Sequence, residues 1–322
     1  FPISDTIESA AFIEDTISIG ENWKIIAALR ADRYELNPAV DAMYLADYPD
    51  YDTIHLDESD LSPKLGVIYS ITPEVDAYVQ YSHGFRAPPH SDANVSLELP
   101  VFRVRAVPNP DLESESSDGI DIGLRWYGLR STARISAFRT SYSNFIETKV
   151  NIGVDPVSGY VQFQSQNIED TTIEGIEAGW NVRFGDLEQF VLDGSAFYAR
   201  GDNEGTGRPV NSVGPAQAVV GISWFSADET RELRLKTTLA EAHDRVEEPT
   251  GELFKPAGYA VFDLYFTQKL GANLVARAGL QNLADRTYWN WTDVRGLAPD
   301  DPTLAYLAEA GRTSSVSLNL VW

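Results

Sequence analysis

Residues 84–112 read GFRAPPHSDANVSLELPVFRVRAVPNPDL. The segment opens on Phe85-Arg86-Ala87-Pro88 and closes on Asn109-Pro110-Asp111-Leu112. It is a long polar loop between two strand-like runs, and its closing box is turn chemistry, Asn-Pro followed by Asp. Before it, Val79 and Tyr81 share one face of a strand. After it, Ile120, Ile122, Leu124 and Trp126 alternate with Asp121, Gly123 and Arg125.

The same period of two dominates the chain, and no long segment has helical periodicity. Ala216, Ala218, Val220, Ile222 and Trp224 form one apolar row. Ala260, Phe262, Leu264 and Phe266 form another, and Val316, Leu318, Leu320 and Trp322 a third. These apolar faces suit lipid or a core, while the opposite faces carry Arg, Asp, Gln and Ser, which suit a watery lumen. Connections alternate in length. Short ones fall at Gly20–Asn22, Thr72–Glu74, Gly128–Leu129, Gly185–Asp186, Ser226–Thr230 and Gly271. Long ones span Glu35–Leu61, Phe85–Glu113, Thr148–Tyr160, Gly201–Gly214, Asp244–Ala257 and Ala284–Arg312. Short turns on one rim and long loops on the other are the layout of a transmembrane barrel. The count is about thirteen strands, with Val161–Phe184 taken as one long strand. An odd count makes the first and last strands run the same way. Trp23, Trp126, Trp180, Trp224 and Trp322 all fall beside the short turns or the chain end, which predicts an aromatic girdle on that rim.

Composition narrows the function. A net charge of -23 argues against nucleic acid as a partner, because little here would neutralise phosphates. There are no cysteines, hence no disulfide and no thiolate metal site. No apolar run reaches the roughly 20 residues of a membrane helix. HExxH, GxSxG and phosphate-cradling glycine loops are absent, so the sequence does not read as an enzyme.

The two boxes, at loop spacing between alternating strands, resemble the FRAP and NPNL boxes of TonB-dependent haem and haemoglobin receptors. Further resemblance lies in Phe138-Arg139-Thr140 with Asn144-Phe145-Ile146, in Asn167-Ile168 with Glu174-Gly175-Ile176-Glu177, and in Gln281-Asn282-Leu283 with Asp285 and Tyr288. Tyr288–Leu297 is similar to the last outer loop of the haemoglobin-receptor branch, as is Gly311-Arg312 before the final strand. The resemblance implies an all-β fold: an antiparallel transmembrane β-barrel segment, about 13 of 22 strands, with long extracellular loops and short periplasmic turns. Residues 1–322 then form the C-terminal portion of the barrel, with the N-terminal plug and first strands missing. Such a segment should be an open or distorted barrel. The implied place is the Gram-negative outer membrane, among lipid and lipopolysaccharide. The implied cargo is haem, as transported ligand rather than prosthetic group, from the free form or from haemoglobin or another haemoprotein. The implied energy source is TonB–ExbB–ExbD, acting through the missing plug. A ferric siderophore or other scarce nutrient is the alternative cargo, and a soluble β-rich binding module the alternative class.

Within this frame His90, between the boxes, is the candidate haem-iron ligand, since haem iron takes an axial His. Residues 102–107, nearer the second box, hold no His. Arg86, Arg103 and Arg105 are candidates for haem carboxylates, which guanidinium binds with two hydrogen bonds. Arg86 equally suits a structural role, holding the loop base against a lumen carboxylate. By alternation His83 faces lipid near the outer rim. His55 reads as a solvated loop residue, and His243 ends a strand without an evident partner. Tyr44, Tyr48, Tyr51, Tyr160, Trp289, Trp291 and Tyr306 put aromatic surface on the outer loops, for a protein partner or for each other.

Overall fold

The computed structural model describes residues 2–49, 52–168, 170–248 and 251–320. The expectations for Tyr51 and Trp322 lie outside the described residues. Among the described residues, seventeen strands form in chain order. They are β1 (Ile3–Ile19), β2 (Trp23–Ala39), β3 (Leu56–Thr72), β4 (Val75–Arg86), β5 (Leu97–Leu99) and β6 (Val104–Ala106). β7 (Glu115–Tyr127), β8 (Ser131–Ser143), β9 (Phe145–Val154), β10 (Val161–Ile168), β11 (Thr171–Phe184) and β12 (Phe190–Asn203) follow. The chain continues through β13 (Gln217–Phe225), β14 (Arg231–Ala240), β15 (Tyr259–Lys269), β16 (Leu274–Gln281) and β17 (Thr313–Leu320).

Thirteen strands make one antiparallel wall in the order β1-β2-β3-β4-β7-β8-β11-β12-β13-β14-β15-β16-β17. Among the described residues β1 pairs only with β2 and β17 only with β16, so the wall is open. The odd number sets β1 and β17 in the same direction, as the alternation of turns requires.

The two faces separate as the sequence pattern demands. Outward are Leu29, Leu65, Ile120, Ile122, Leu124, Ile135, Ile222 and Phe266, all solvent-exposed in the isolated chain. Inward are ion pairs: Arg234 holds Asp193 at 2.7 Å through both carboxylate oxygens, and Lys236 lies 3.8 Å from Asp263. Charges this numerous would be costly in lipid and are natural in a hydrated lumen. The short-turn rim carries the aromatic girdle. Trp23 packs on Tyr69 with ring centroids 4.5 Å apart, and Phe184 stacks on Phe190 at 5.4 Å. Trp126, Trp180 and Trp224 lie on the same outward face, by the cross-strand pairs Trp126–Ala133, Ala133–Trp180 and Phe190–Trp224.

Two expectations need correction. Val161–Phe184 is not one strand: it breaks between β10 and β11. Residues 148–160 are not simply a loop either, since β9 runs to Val154. β9 and β10 join β5 and β6 in a second, four-stranded sheet, in the order β5-β6-β10-β9, with β10 parallel to β6. The wall still counts thirteen, because β11 alone takes the place assigned to the long strand. Alternation gives a strand its faces but does not say which sheet it joins, and the polar β10 sequence, VQFQSQNI, belongs to the loops. This loop sheet is built from the β4–β7 and β8–β11 connections, both on the long-loop rim.

Candidate ligand-binding site

The two boxes flank one loop base, where the β4–β7 ladder ends at the pair Arg86–Glu115. The first continues β4 and leads into a single helical turn, α1 (His90–Ala93). The second makes the turn it spells: the Asp111 amide donates to Asn109 Oδ1 at 3.1 Å. The Asn109 side-chain amide reaches across to the Ser165 carbonyl of β10 at 2.9 Å. Leu112 is buried with Leu36, Leu56, Ala93 and Ile146. Tyr34 of β2 donates its hydroxyl to the Pro88 carbonyl at 3.2 Å, locking the first box onto the wall. Both boxes therefore shape the loop base.

Arg86 spans two carboxylates, with Nη2 to Asp92 at 2.9 Å and Nη1 to Glu115 at 3.4 Å. Glu115 is itself buried and accepts the Ile146 amide at 2.7 Å. Burial pushes the Asp92 carboxyl above its ordinary range, against the pull of Arg86. His90 opens α1 and is exposed. His90 and Arg86 border one cavity of about 940 Å³, whose further lining includes Glu8, Arg30, Asp32 and Tyr34. The cavity is polar, with cations and carboxylates interleaved.

His83 also borders this cavity. Its ring stands between Asp118, 3.1 Å from Nδ1, and Asp60, 3.7 Å from Nε2. Alternation assigned it to the lipid face beside Tyr81. However, the β3–β4 ladder is described only as far as Lys64–Ser82. Beyond that pair the upper half of β3 follows β2 while β4 follows β7, and the His83 ring sits where they part.

The other candidates serve the loops. Arg105 pairs with Asp155, and Arg103 donates to the Gly159 carbonyl at 3.2 Å. His55 is exposed. His243 is buried against Trp291, ring centroids 4.3 Å apart, and burial pushes its imidazole below the ordinary pKa. Most loop aromatics fold onto the loops: Tyr44 bonds Ser96 at 2.8 Å, Trp289 donates to the Leu304 carbonyl and Trp291 to that of Asn211. Tyr306 is the contrast, at 79% exposure. The sequence did not single out the Glu147–Arg295 pair, in which both side chains are 8% exposed and 3.3 Å apart. This pair fastens the last outer loop to β9, together with Arg295 Nη2 on the Thr148 hydroxyl at 2.7 Å. Only the contact makes these two charges special, and they are 148 residues apart.

An open antiparallel wall with a polar lumen, girdled at one rim and roofed by interlocked loops at the other, is an outer-membrane receptor barrel in form. Residues 1–283 match the family described as TonB dependent receptor-like, beta-barrel. The chain belongs to that family. It is similar to the hemoglobin and hemoglobin-haptoglobin-binding protein A of Haemophilus influenzae, 27% identical over 242 residues, covering 68% of this chain and 22% of the relative. It is also similar to the hemoglobin-haptoglobin utilization protein B of Neisseria meningitidis serogroup A, 25% identical over 262 residues, covering 72% of this chain and 32% of that protein. The chain thus spans a third or less of these two relatives. Among solved structures, the copper transporter OprC superposes with a TM-score of 0.77 at 20% identity, over 99% of this chain and 48% of that one. The siderophore receptor PirA from Pseudomonas aeruginosa superposes with a TM-score of 0.66 at 17% identity, over 98% and 48%. At these identities the structures share the fold alone.

Proposed function

We propose that this chain is the C-terminal barrel portion of an outer-membrane receptor that imports haem, taken free or from a haemoglobin-type haemoprotein. On this reading cargo binds the outer loops and lumen, and the loops close. The inner-membrane TonB–ExbB–ExbD complex then draws on an N-terminal plug to let haem pass. The receptor moves haem without changing it covalently. His90 offers an axial nitrogen and Arg86 a guanidinium for a haem carboxylate. The observation that carries the proposal is that Arg86, of the first box, and His90, between the two boxes, border the same cavity of about 940 Å³. The relatives named for hemoglobin binding support the same cargo.

The test uses the full-length receptor in a haem-requiring strain lacking its own haem receptors. Growth on haem or haemoglobin is the expected result, with His90→Ala abolishing it while the receptor remains in the outer membrane. Growth that survives His90→Ala keeps haem as cargo and removes His90 from the site. No growth on either source, with the barrel correctly inserted, sinks the haem reading in favour of a siderophore or another scarce nutrient.

A further inference from the structure

A second cavity lies away from His90, between the loop sheet and the last outer loop, residues 291–307. It holds about 340 Å³, within the range of small-molecule pockets. Leu97, Leu99, Phe102 and Phe163 line it from the loop sheet, and Leu297 and Leu307 from the last outer loop. Gly296 brings the two sides together: a Cβ there would lie 3.0 Å from the Phe163 ring, and its carbonyl accepts the Asn151 side-chain amide at 3.2 Å. Loops folding for their own stability would bury their large apolar side chains. Here Leu97, Phe102 and Tyr306 stay 41%, 39% and 79% exposed at the mouth.

The charge of the slot opposes that of the chain. Within a protein of net charge -23, its lining carries Arg105, Lys149 and Arg295 against the single carboxylate of Asp293. Two of the cations are committed, Arg105 to Asp155 and Arg295 to Glu147. Lys149 has no ion-pair partner among the described residues. It is exposed and held at φ 57, a left-handed conformation that is costly for a side chain other than glycine. The β9–β10 ladder shifts register here, between the pairs Val150–Gln164 and Glu147–Gln166, so a β-bulge sets this conformation and aims the side chain. Arg295 adds a second polar group without a partner: its Nε is buried and makes no hydrogen bond.

We propose that this slot binds a flat apolar molecule bearing carboxylate at one edge, and that the natural occupant is haem on its way to the lumen. The occupant rests on the haem reading above. The apolar walls take the faces of the macrocycle, and Lys149 takes a propionate. No His lines the slot. Recognition there is by face and carboxylate rather than by metal, so a metal-free porphyrin binds as well as haem. This distinguishes the slot from a site that depends on an axial His.

The experiment measures binding of metal-free protoporphyrin IX to the full-length receptor in detergent, by quenching of porphyrin and tryptophan fluorescence. Lys149→Glu and Phe102→Asp, both at exposed positions, are expected to weaken binding about tenfold each, through lost charge pairing and lost apolar contact. Lys24→Glu, a charge reversal at the opposite rim, is expected to leave it unchanged. Each variant is first shown to reach the outer membrane as a folded barrel. Failure of the wild-type receptor to bind protoporphyrin overturns the slot, as does binding that neither slot substitution alters. If the wild-type receptor supports growth on haem while either of these holds, the slot alone is lost and the haem reading stands. Protoporphyrin binding that obeys the slot substitutions, in a receptor that supports no growth on haem, keeps the slot and removes haem as its natural occupant.

Discussion

At Arg86 a guanidinium between two carboxylates ties a loop to a wall. Arg86→Ala removes both contacts and leaves Glu115 buried with one backbone donor. Because Arg86 is nearly half exposed, the expected loss is modest, about 1 kcal/mol or roughly a fivefold rise in local opening. Hydrogen exchange of amides in residues 91–99 reads it, and unchanged protection would show that the loop base holds without Arg86. His243 gives a pH dependence. Burial lowers its pKa, Asp244 opposing and Arg245 assisting, so the folded chain holds it neutral. Below about pH 6.5 the unfolded segment takes up a proton that the folded one resists, so stability falls as pH falls. Acidification from pH 7.5 to 5.5 is therefore expected to loosen the contact with Trp291, seen as faster proteolysis of the loop around residues 243–257. His243→Phe should remove that His-linked part of the response.

The strands make predictions that depend on face. Ile122 and Gln80 belong to neighbouring strands, Ile122 outward and Gln80 inward opposite Asp121. Ile122→Arg puts a charge toward lipid and is expected to cost roughly 2–4 kcal/mol near the midplane, while Gln80→Arg meets a lumenal carboxylate and should be tolerated. Denaturant unfolding of the full-length receptor in lipid compares them, and equal costs would mean the faces are misassigned. The loop elements depend on pairs instead. Arg295→Met strands Glu147 in a site that already pushes its carboxyl upward by burial. Removing one partner of such a buried pair costs about 3–5 kcal/mol. The last outer loop should then detach from β9 and become protease-sensitive, whereas Arg295→Met with Glu147→Leu should recover part of the loss.

For the whole molecule the open wall is the governing fact. β1 leaves a 17-residue edge and β17 an 8-residue one, and lipid offers no partner for their backbone groups. Residues 1–322 expressed alone are expected to aggregate or remain in an unclosed form. The readout is the absence of the heat-dependent gel mobility of a closed barrel. A heat-modifiable monomer would mean that the edges find each other.

The sequence by itself determined the wall. A side-chain period of two sorts the wall's residues to lipid or lumen without reference to distant contacts, and turn residues mark where the strands reverse at the short-turn rim. Ile120–Trp126 and Ala260–Phe266 are therefore legible as they stand, as are the short-turn tryptophans and the Asn109 turn. Only the tertiary structure decided where β9 and β10 belong, because their alternation suits the wall and the loop sheet equally. It alone paired Glu147 with Arg295, buried His243 on Trp291, and opened an apolar slot with a spare cation. These features arise from loops far apart in the chain, as with Glu147 and Arg295, 148 residues apart. Nothing local in a sequence records which loops will touch.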